Sequence, residues 1–452
     1  EKVIMGDKPI ISGSGIRGVF GRSFTVSDAL DFAAAFGELV GPGPVVVGRD
    51  TRRSGPATEA AVCAGLMSVG CHPVLLGVVS TPTVQLEAMS PGVAGGIAVT
   101  SSHNPGNWNA LKLVGPDGVF LRASAREELM GLLRIPRNLR GHHDCGVPEE
   151  LPGSVERHVD RVLSLPLVRR EGRPLRVVLD VTGGTAAILA PALMDALGVH
   201  WTMIHPFMTP EGEFPRVAEP TSESLAMLAK KVKQEGADAG FGFDPDGDRL
   251  ALVADGGLLI GEEYTLALAF DHVLRHTPGP VVINLSTSML SEDAAVRHRC
   301  RVHRSPVGEV NVVEEMERLG SPLGGEGNGG VIYPLCHPGR DSAVAMALAV
   351  SFLRDDPEMT LSRWAEGFPR YSTVKRKVSF TRDFQTVAAS LQTLLGTPAD
   401  TRDGLWYRTD WGWFHIRPSG TEPVLRFIGE SSDPEPLETV FDAFRKVLQC
   451  AE

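Results

Sequence analysis

The chain predicts an α/β protein: three consecutive mixed α/β sandwich domains followed by a smaller C-terminal α+β domain. Three observations carry this expectation. Apolar, β-branched runs recur along the chain, each leaving into a polar turn before a helix-like stretch. The last segment changes character and alternates apolar with polar residues. The length, 452 residues, exceeds one core, since domains usually hold roughly 100–200 residues.

Taken in order, "PVVVGRDTRRSG" (44–55) is a strand leaving into a polar turn, with a small-residue helix pattern through Ala57–Val69. "LRVVLDVTGGTAA" (175–187) repeats this before a helix through Ile188–Leu197, and "PVVINLSTSML" (280–290) repeats it again. Runs without polar alternation suit strands covered on both faces, as in parallel sheets. Their alternation with helices suggests βαβ units. "YSTVKRKVSF" and "GLWYRTDWGWFHIRPS" instead read as antiparallel strands with one wet face. Leu437, Val440, Phe441, Phe444, Val447 and Leu448 then recur at helical spacing. The expected domains are 1–152, 153–254, 255–367 and 368–452.

Hydrophobic residues make up 42% and charged residues 22%, enough apolar material for several cores. The net charge of −11 repels nucleic acid and anionic membranes. An anionic substrate would therefore need a locally built site. Cys63, Cys71, Cys145, Cys300, Cys336 and Cys450 form no Cys-x-x-Cys pair. They read as free thiols of a reducing compartment rather than disulfides or a zinc site. The first residues have no apolar signal core, and the longest apolar stretch, Ala343–Leu353, is too short for a bilayer. The expectation is a cytoplasmic enzyme.

Four stretches could carry chemistry. In "GFGFDPDGDRLALVAD" (240–255), Asp244, Asp246 and Asp248 crowd one turn between two apolar strands. They would repel unless a cation sat among them, and hard divalent ions take such oxygen ligands. An EF-hand would need flanking helices and Glu at its twelfth position, where this stretch has Asp255. A solvated hairpin turn is the plain alternative.

In "HIRPSGTEPVLRF" (415–427), Arg417, Ser419, Gly420, Thr421 and Arg426 offer a guanidinium, hydroxyls and backbone N–H groups suited to phosphate. A plain Pro/Gly hairpin turn fits equally. In "PLGGEGNGGVIYP" (322–334), Glu326 and Asn328 sit among glycines, a pair suited to sugar hydroxyls or simply a surface loop. No Lys-Ser/Thr follows, so it is not a Walker loop. In "IAVTSSHNPGNWNALKLVG" (97–115), a strand breaks at Ser102 and His103 and returns through Lys112. The serine is either a turn residue or a nucleophile, and no Gly-x-Ser-x-Gly elbow surrounds it. Arg17, in a Gly-punctuated loop, could add charge or hold a turn.

The ordered set is more specific than its parts. Ser-His-Asn-Pro, Asp-Pro-Asp-Gly-Asp-Arg, Gly-Glu-Gly-Asn-Gly-Gly and Arg-Pro-Ser-Gly-Thr-Glu-Pro follow one another along the whole chain. The series resembles the α-D-phosphohexomutase family of phosphoglucomutases, phosphomannomutases and phosphoglucosamine mutases. The resemblance implies a heart-shaped, four-domain architecture around a central cleft. It implies Ser102 as phosphoryl carrier, and one Mg²⁺ on Asp244, Asp246, Asp248 and an oxygen on Ser102. Glu326 and Asn328 would bind the sugar ring, with Glu309 of "VGEV" nearby. Arg417, Ser419, Gly420, Thr421 and Arg426 would grip the distal phosphate. Arg17, His103, Lys112 and Arg249 match positions near the reacting phosphate, with His103 or Lys112 as general acid/base.

The implied reaction interconverts hexose 1- and 6-phosphates through a hexose 1,6-bisphosphate, which also serves as activator. The implied partner is a phosphosugar, met by a monomer or homodimer. Asn328 replaces the usual serine of the sugar loop, Gly330 stands where many members have His, and Ser14 precedes Gly-Ile-Arg where many have Asp. These departures leave the sugar open, while "VGEV" (307–310) is more similar to phosphoglucosamine mutases and archaeal-type mutases, so glucosamine is expected first and mannose or glucose next. A Mg²⁺-dependent sugar-phosphate phosphatase and a non-catalytic sugar-phosphate binder are the competing readings.

Overall fold

The computed structural model describes residues 8–13, 15–380, 382–419 and 424–451. The architecture is three mixed α/β units and a smaller C-terminal α+β unit, each built on its own sheet. The first sheet has seven strands. Pro44–Arg49 runs parallel to His72–Val78 on one side and to Gly95–Val99 on the other. Gly95–Val99 then pairs antiparallel with Trp108–Val114, which pairs antiparallel with Gly15–Val19. The turn between Gly95–Val99 and Trp108–Val114 therefore emerges at the same sheet end as the exit of Pro44–Arg49.

The second sheet has five strands. Arg176–Asp180 lies parallel to Ala239–Phe243, which turns back antiparallel into Leu250–Ala254. Leu258–Gly261 continues this sheet by pairing with Leu250–Ala254. The third sheet orders Val302–Ser305, Val281–Asn284, Gly324–Glu326 and Gly330–Ile332. The fourth is wholly antiparallel, with Ser372–Ser379, Val424–Ser431, Gly412–Pro418 and Leu405–Arg408 in that order. Domain boundaries after 152, 254 and 367 remain our proposal. The pairing of Leu258–Gly261 argues for moving the second beyond Gly261.

The expected strand character matches burial. Val45, Val46 and Val47 are buried, as are Val177, Val178 and Leu179 and Val281, Val282 and Ile283, because helices cover both faces. Ser372–Ser379 alternates between partly buried and exposed residues, as a one-sided strand does. The apolar stretch Ala343–Leu353 lies inside helix Ser342–Asp355, buried on every side. An all-apolar helix in a large chain is a core helix. It belongs to one continuous core running from Val159 to Phe368, so the second and third units share their interior. Among the described residues, no helix is long and apolar enough to cross a membrane.

Candidate active site

Ser102 sits on the turn between Gly95–Val99 and Trp108–Val114. Its φ of 48° is left-handed, an unusual state for a side-chain-bearing residue. A buried relay holds it there. The Ser102 amide donates to Thr100 Oγ1 at 3.0 Å, and Thr100 Oγ1 donates to Asp50 Oδ2 at 2.6 Å. Arg52, at 1% exposure, donates to the carbonyls of Ser102 (2.6 Å), Asn104 (2.7 Å), Trp108 (3.1 Å) and Pro105, while its Nε meets Asp50 at 2.9 Å. The turn also abuts the second unit. A Cβ at Gly106 would lie 2.4 Å from the Gly212 carbonyl oxygen, so only glycine allows this approach.

This placement sends the Ser102 hydroxyl to Asp244 Oδ2, at 3.1 Å, and leaves His103 Nδ1 3.4 Å away. Asp244, Asp246 and Asp248 occupy the turn between Ala239–Phe243 and Leu250–Ala254, flanked by strands as expected. One carboxylate oxygen from each lies within 4.8 Å of the others, and all three residues are buried. Lys112 Nζ approaches Asp246 at 2.6 Å and Asp248 at 3.3 Å. Thr81 donates to Asp246 at 2.5 Å.

Burial opposes ionisation of all three carboxylates, but they separate. Asp244 is pushed well above the usual carboxylate range by burial and by its two neighbours. Asp246 and Asp248 are held below it despite burial, by Lys112 and by Arg340, Lys112 and Arg249 respectively. Asp246 Oδ1 and Asp248 Oδ1 are buried without a hydrogen-bond partner. Oxygen-only donors, crowded carboxylates and two orphaned oxygens fit a hard divalent cation.

Cations converge beside the serine. The Arg249 amide donates to Asp244 at 3.2 Å, and its guanidinium reaches Glu219 at 3.3 Å. Arg17 donates to Ser12 Oγ at 2.8 Å. Burial and the charges of Arg249 and Arg426 lower the pKa of Arg17. Like charges acting on Arg17 raise the local potential, a condition an anion relieves. Burial, then Arg249, keeps His103 neutral to well below its usual range. Lys112 stays charged, because Asp246 and Asp248 outweigh its burial. On the C-terminal unit, Arg417 pairs with Asp403 at 3.1 Å, and the Ser419 amide bonds the Val424 carbonyl at 2.9 Å. Gly420 and Thr421 lie outside the described residues.

The third unit contributes Glu326 at a strand end. Its Oε1 accepts from Asn284 Nδ2 (2.7 Å) and the Gly308 amide (2.9 Å). Glu309 opens helix Glu309–Leu319 and accepts from Gln85 at 2.9 Å. Asn328 Oδ1 is buried without a partner. Arg340 joins these groups: its fork reaches Asp248 (2.6 Å), Glu326 (2.6 Å) and Glu309 (2.9 Å). Both oxygens of Glu309 and both of Glu326 are thus engaged inside the protein.

Sequence reading missed Arg340, Arg52 and Thr81. Arg52 lies just past a strand exit, and its signal is the second arginine of Arg-Asp-x-Arg after an apolar strand. Arg340 offered Pro-Gly-Arg-Asp just before an apolar helix.

Four α/β-type units bringing one serine, one aspartate turn and a group of arginines to one place define the phosphohexomutase class. Four family descriptions match in order: phosphoglucomutase/phosphomannomutase alpha/beta/alpha domains I (residues 9–135), II (156–257) and III (262–371), and the C-terminal domain (373–447). A probable phosphoglucosamine mutase of Methanopyrus kandleri is 32% identical over 446 residues, covering 97% of this chain and 98% of that protein. A phosphoglucomutase/phosphomannomutase of Thermococcus kodakarensis is 31% identical, with 96% and 97% covered. The crystal structure of a phosphoglucomutase/phosphomannomutase family protein from Burkholderia thailandensis superposes with a TM-score of 0.83 at 26% identity, covering 99% of this chain and 98% of that one. The chain belongs to the phosphoglucomutase/phosphomannomutase family, whose members are mutases and hence isomerases.

Proposed function

We propose that this chain interconverts hexose 1-phosphates and hexose 6-phosphates through a phosphorylated Ser102. The observation that carries the reading is the 3.1 Å approach of Ser102 Oγ to Asp244 in a buried carboxylate turn. The phosphoryl group leaves Ser102 Oγ for O1 or O6 of a hexose monophosphate, giving a hexose 1,6-bisphosphate. The bisphosphate turns over in place, and its other phosphoryl group returns to Ser102. A trace of bisphosphate would keep the enzyme charged.

Asp244, Asp246 and Asp248, with an oxygen on Ser102, would hold one Mg²⁺, which supplies Lewis acidity to a phosphoryl group when bound. Arg17 and Arg249 offset charge on the transferring group, as preorganised cations do in phosphoryl transfer. His103 is neutral beside the serine and can take a hydroxyl proton. Lys112, tied to two carboxylates, balances charge, and we assign the acid/base role to His103 over it. Glu326 and Asn328 would face the sugar, Glu309 would orient Arg340 beneath it, and Arg417, Ser419, Gly420, Thr421 and Arg426 would hold the distal phosphate.

Glucosamine phosphate is the preferred sugar in this reading, supported by the names of the relatives at about a third identity. Mannose and glucose phosphates come next. We place the enzyme in the cytoplasm as a monomer or homodimer acting on small phosphosugars, without nucleic acid or membrane partners.

The test offers the 1-phosphates of glucosamine, N-acetylglucosamine, mannose and glucose with Mg²⁺ and a trace of the 1,6-bisphosphate. Formation of a 6-phosphate supports the reading. Inorganic phosphate without a 6-phosphate supports a phosphatase instead, and binding without either product supports a sensor. Intact-mass measurement should show one phosphoryl group that Ser102→Ala removes.

A further inference from the structure

A second cluster of ligand-type side chains shares no residue with the aspartate turn. His158, on helix Ser154–Leu163, meets Cys336, His337 and Asp341, which lie between strand Gly330–Ile332 and helix Ser342–Asp355. One ligand atom from each lies within 4.8 Å of those from the other three. None is more than 1% exposed.

The geometry converges on one oxygen. His158 Nε2 stands 2.8 Å from Asp341 Oδ2, and His337 Nε2 stands 3.1 Å from that same atom. The outer contacts are already in place. His158 Nδ1 is 2.9 Å from Thr83 Oγ1. Asp341 Oδ1 accepts from the Ala343 amide at 2.8 Å, capping its helix. His337 Nδ1 is buried with no hydrogen-bond partner, and the Cys336 thiol is free.

A pure hydrogen-bond network leaves this cluster poorly satisfied. Asp341 Oδ2 must accept from two imidazoles at once, and His337 Nδ1 then becomes a buried acceptor with no donor. One divalent cation among the four ligand atoms relieves the crowding on Asp341 Oδ2. Two neutral imidazoles, one carboxylate and one thiolate supply four ligands, and the two negative charges cancel the ion's charge inside the protein. Mixed nitrogen, sulfur and oxygen donors in a closed set of four suit zinc, not magnesium. The Thr83 and helix-cap contacts are the outer partners that orient metal-binding imidazoles and carboxylates.

We propose that His158, Cys336, His337 and Asp341 form a structural site for one zinc-class divalent cation, separate from the aspartate turn. Binding releases the thiol proton to solvent. The ion would clamp helix Ser154–Leu163 to the segment 336–341, which carries Arg340. Thr83 links the same point to the first unit. The cysteine spacing held no sign of this, because the ligands come from two segments far apart in the chain.

The test uses the full chain. After incubation with Zn²⁺ and dialysis against excess Mg²⁺, elemental analysis should find one zinc per chain. Replacing it with Co²⁺ should produce a thiolate-to-cobalt charge-transfer absorption, which carboxylates cannot give. Cys336→Ser should abolish that absorption, and His337→Gln should reduce zinc content to background. Chelation should lower the unfolding temperature of the wild type but not of Cys336→Ser. Wild-type protein with no thiolate absorption and no Mg²⁺-resistant zinc overturns the proposal. So does absorption that persists in Cys336→Ser. The cobalt spectrum of the wild type decides the matter even if a variant folds poorly, and none of these readouts depends on mutase turnover.

Discussion

Arg52 donates a hydrogen bond to the carbonyl of Ser102 at 2.6 Å, fifty residues along the chain. The same guanidinium holds the carbonyls of Asn104 and Trp108. Arg52 has no bond to the hydroxyl or to Asp244, Asp246 or Asp248, yet its hold on the turn sets where that hydroxyl points.

Arg52→Lys keeps the charge and loses the planar fork that reaches several carbonyls at once. Misplacing a reacting group by an ångström costs about 100-fold in rate. Turnover should fall by about that factor while KM for the sugar phosphate stays near wild type. Steady-state kinetics with each 1-phosphate check this, and an unchanged turnover would show that the relay does not set the serine.

Asp246→Asn removes one negative charge from the buried turn and leaves Lys112 facing an amide. The variant should fold, since mutual repulsion among the carboxylates also falls. Activity with Mg²⁺ should drop by several orders of magnitude. Near-normal turnover in this variant would sink the assignment of the turn to the working cation.

Arg340 is the common partner of Asp248, Glu309 and Glu326. Arg340→Met leaves buried Glu309 and Glu326 without their cation, and Asp248 with only Lys112 and Arg249. Breaking a buried ion pair from one side costs about 3–5 kcal/mol. The unfolding midpoint in urea should move to lower concentration accordingly. A midpoint within error of wild type would mean the carboxylates find other compensation.

His415 lies on the strand that leads into Arg417, and its Nδ1 meets Ser286 of the third unit at 3.0 Å. Burial lowers its pKa from the ordinary 6.5 to about 4, against the opposing pull of Asp403. The folded state therefore prefers the neutral ring. Stability is fully present above about pH 6.5. It is lost as pH falls from there to about 4, because only the unfolded chain takes up the proton. The difference amounts to roughly 3 kcal/mol. Unfolding midpoints measured between these pH values should show this loss in the wild type and a smaller one in His415→Gln.

The units were readable along the chain because their causes are local. Val45–Val47, Val177–Leu179 and Val281–Ile283 announced buried strands by having no polar alternation. Asp244, Asp246 and Asp248 announced a group that could hold a cation by sharing one bend. The order of the four motifs was enough to name the family. Tertiary structure alone decided which charges balance which. Arg340 meets Asp248 across ninety-two positions, and Lys112 meets Asp246 across one hundred and thirty-four. His158 meets Asp341 across one hundred and eighty-three. A buried charge must find its partner wherever packing brings one, and no periodicity along the chain records that choice.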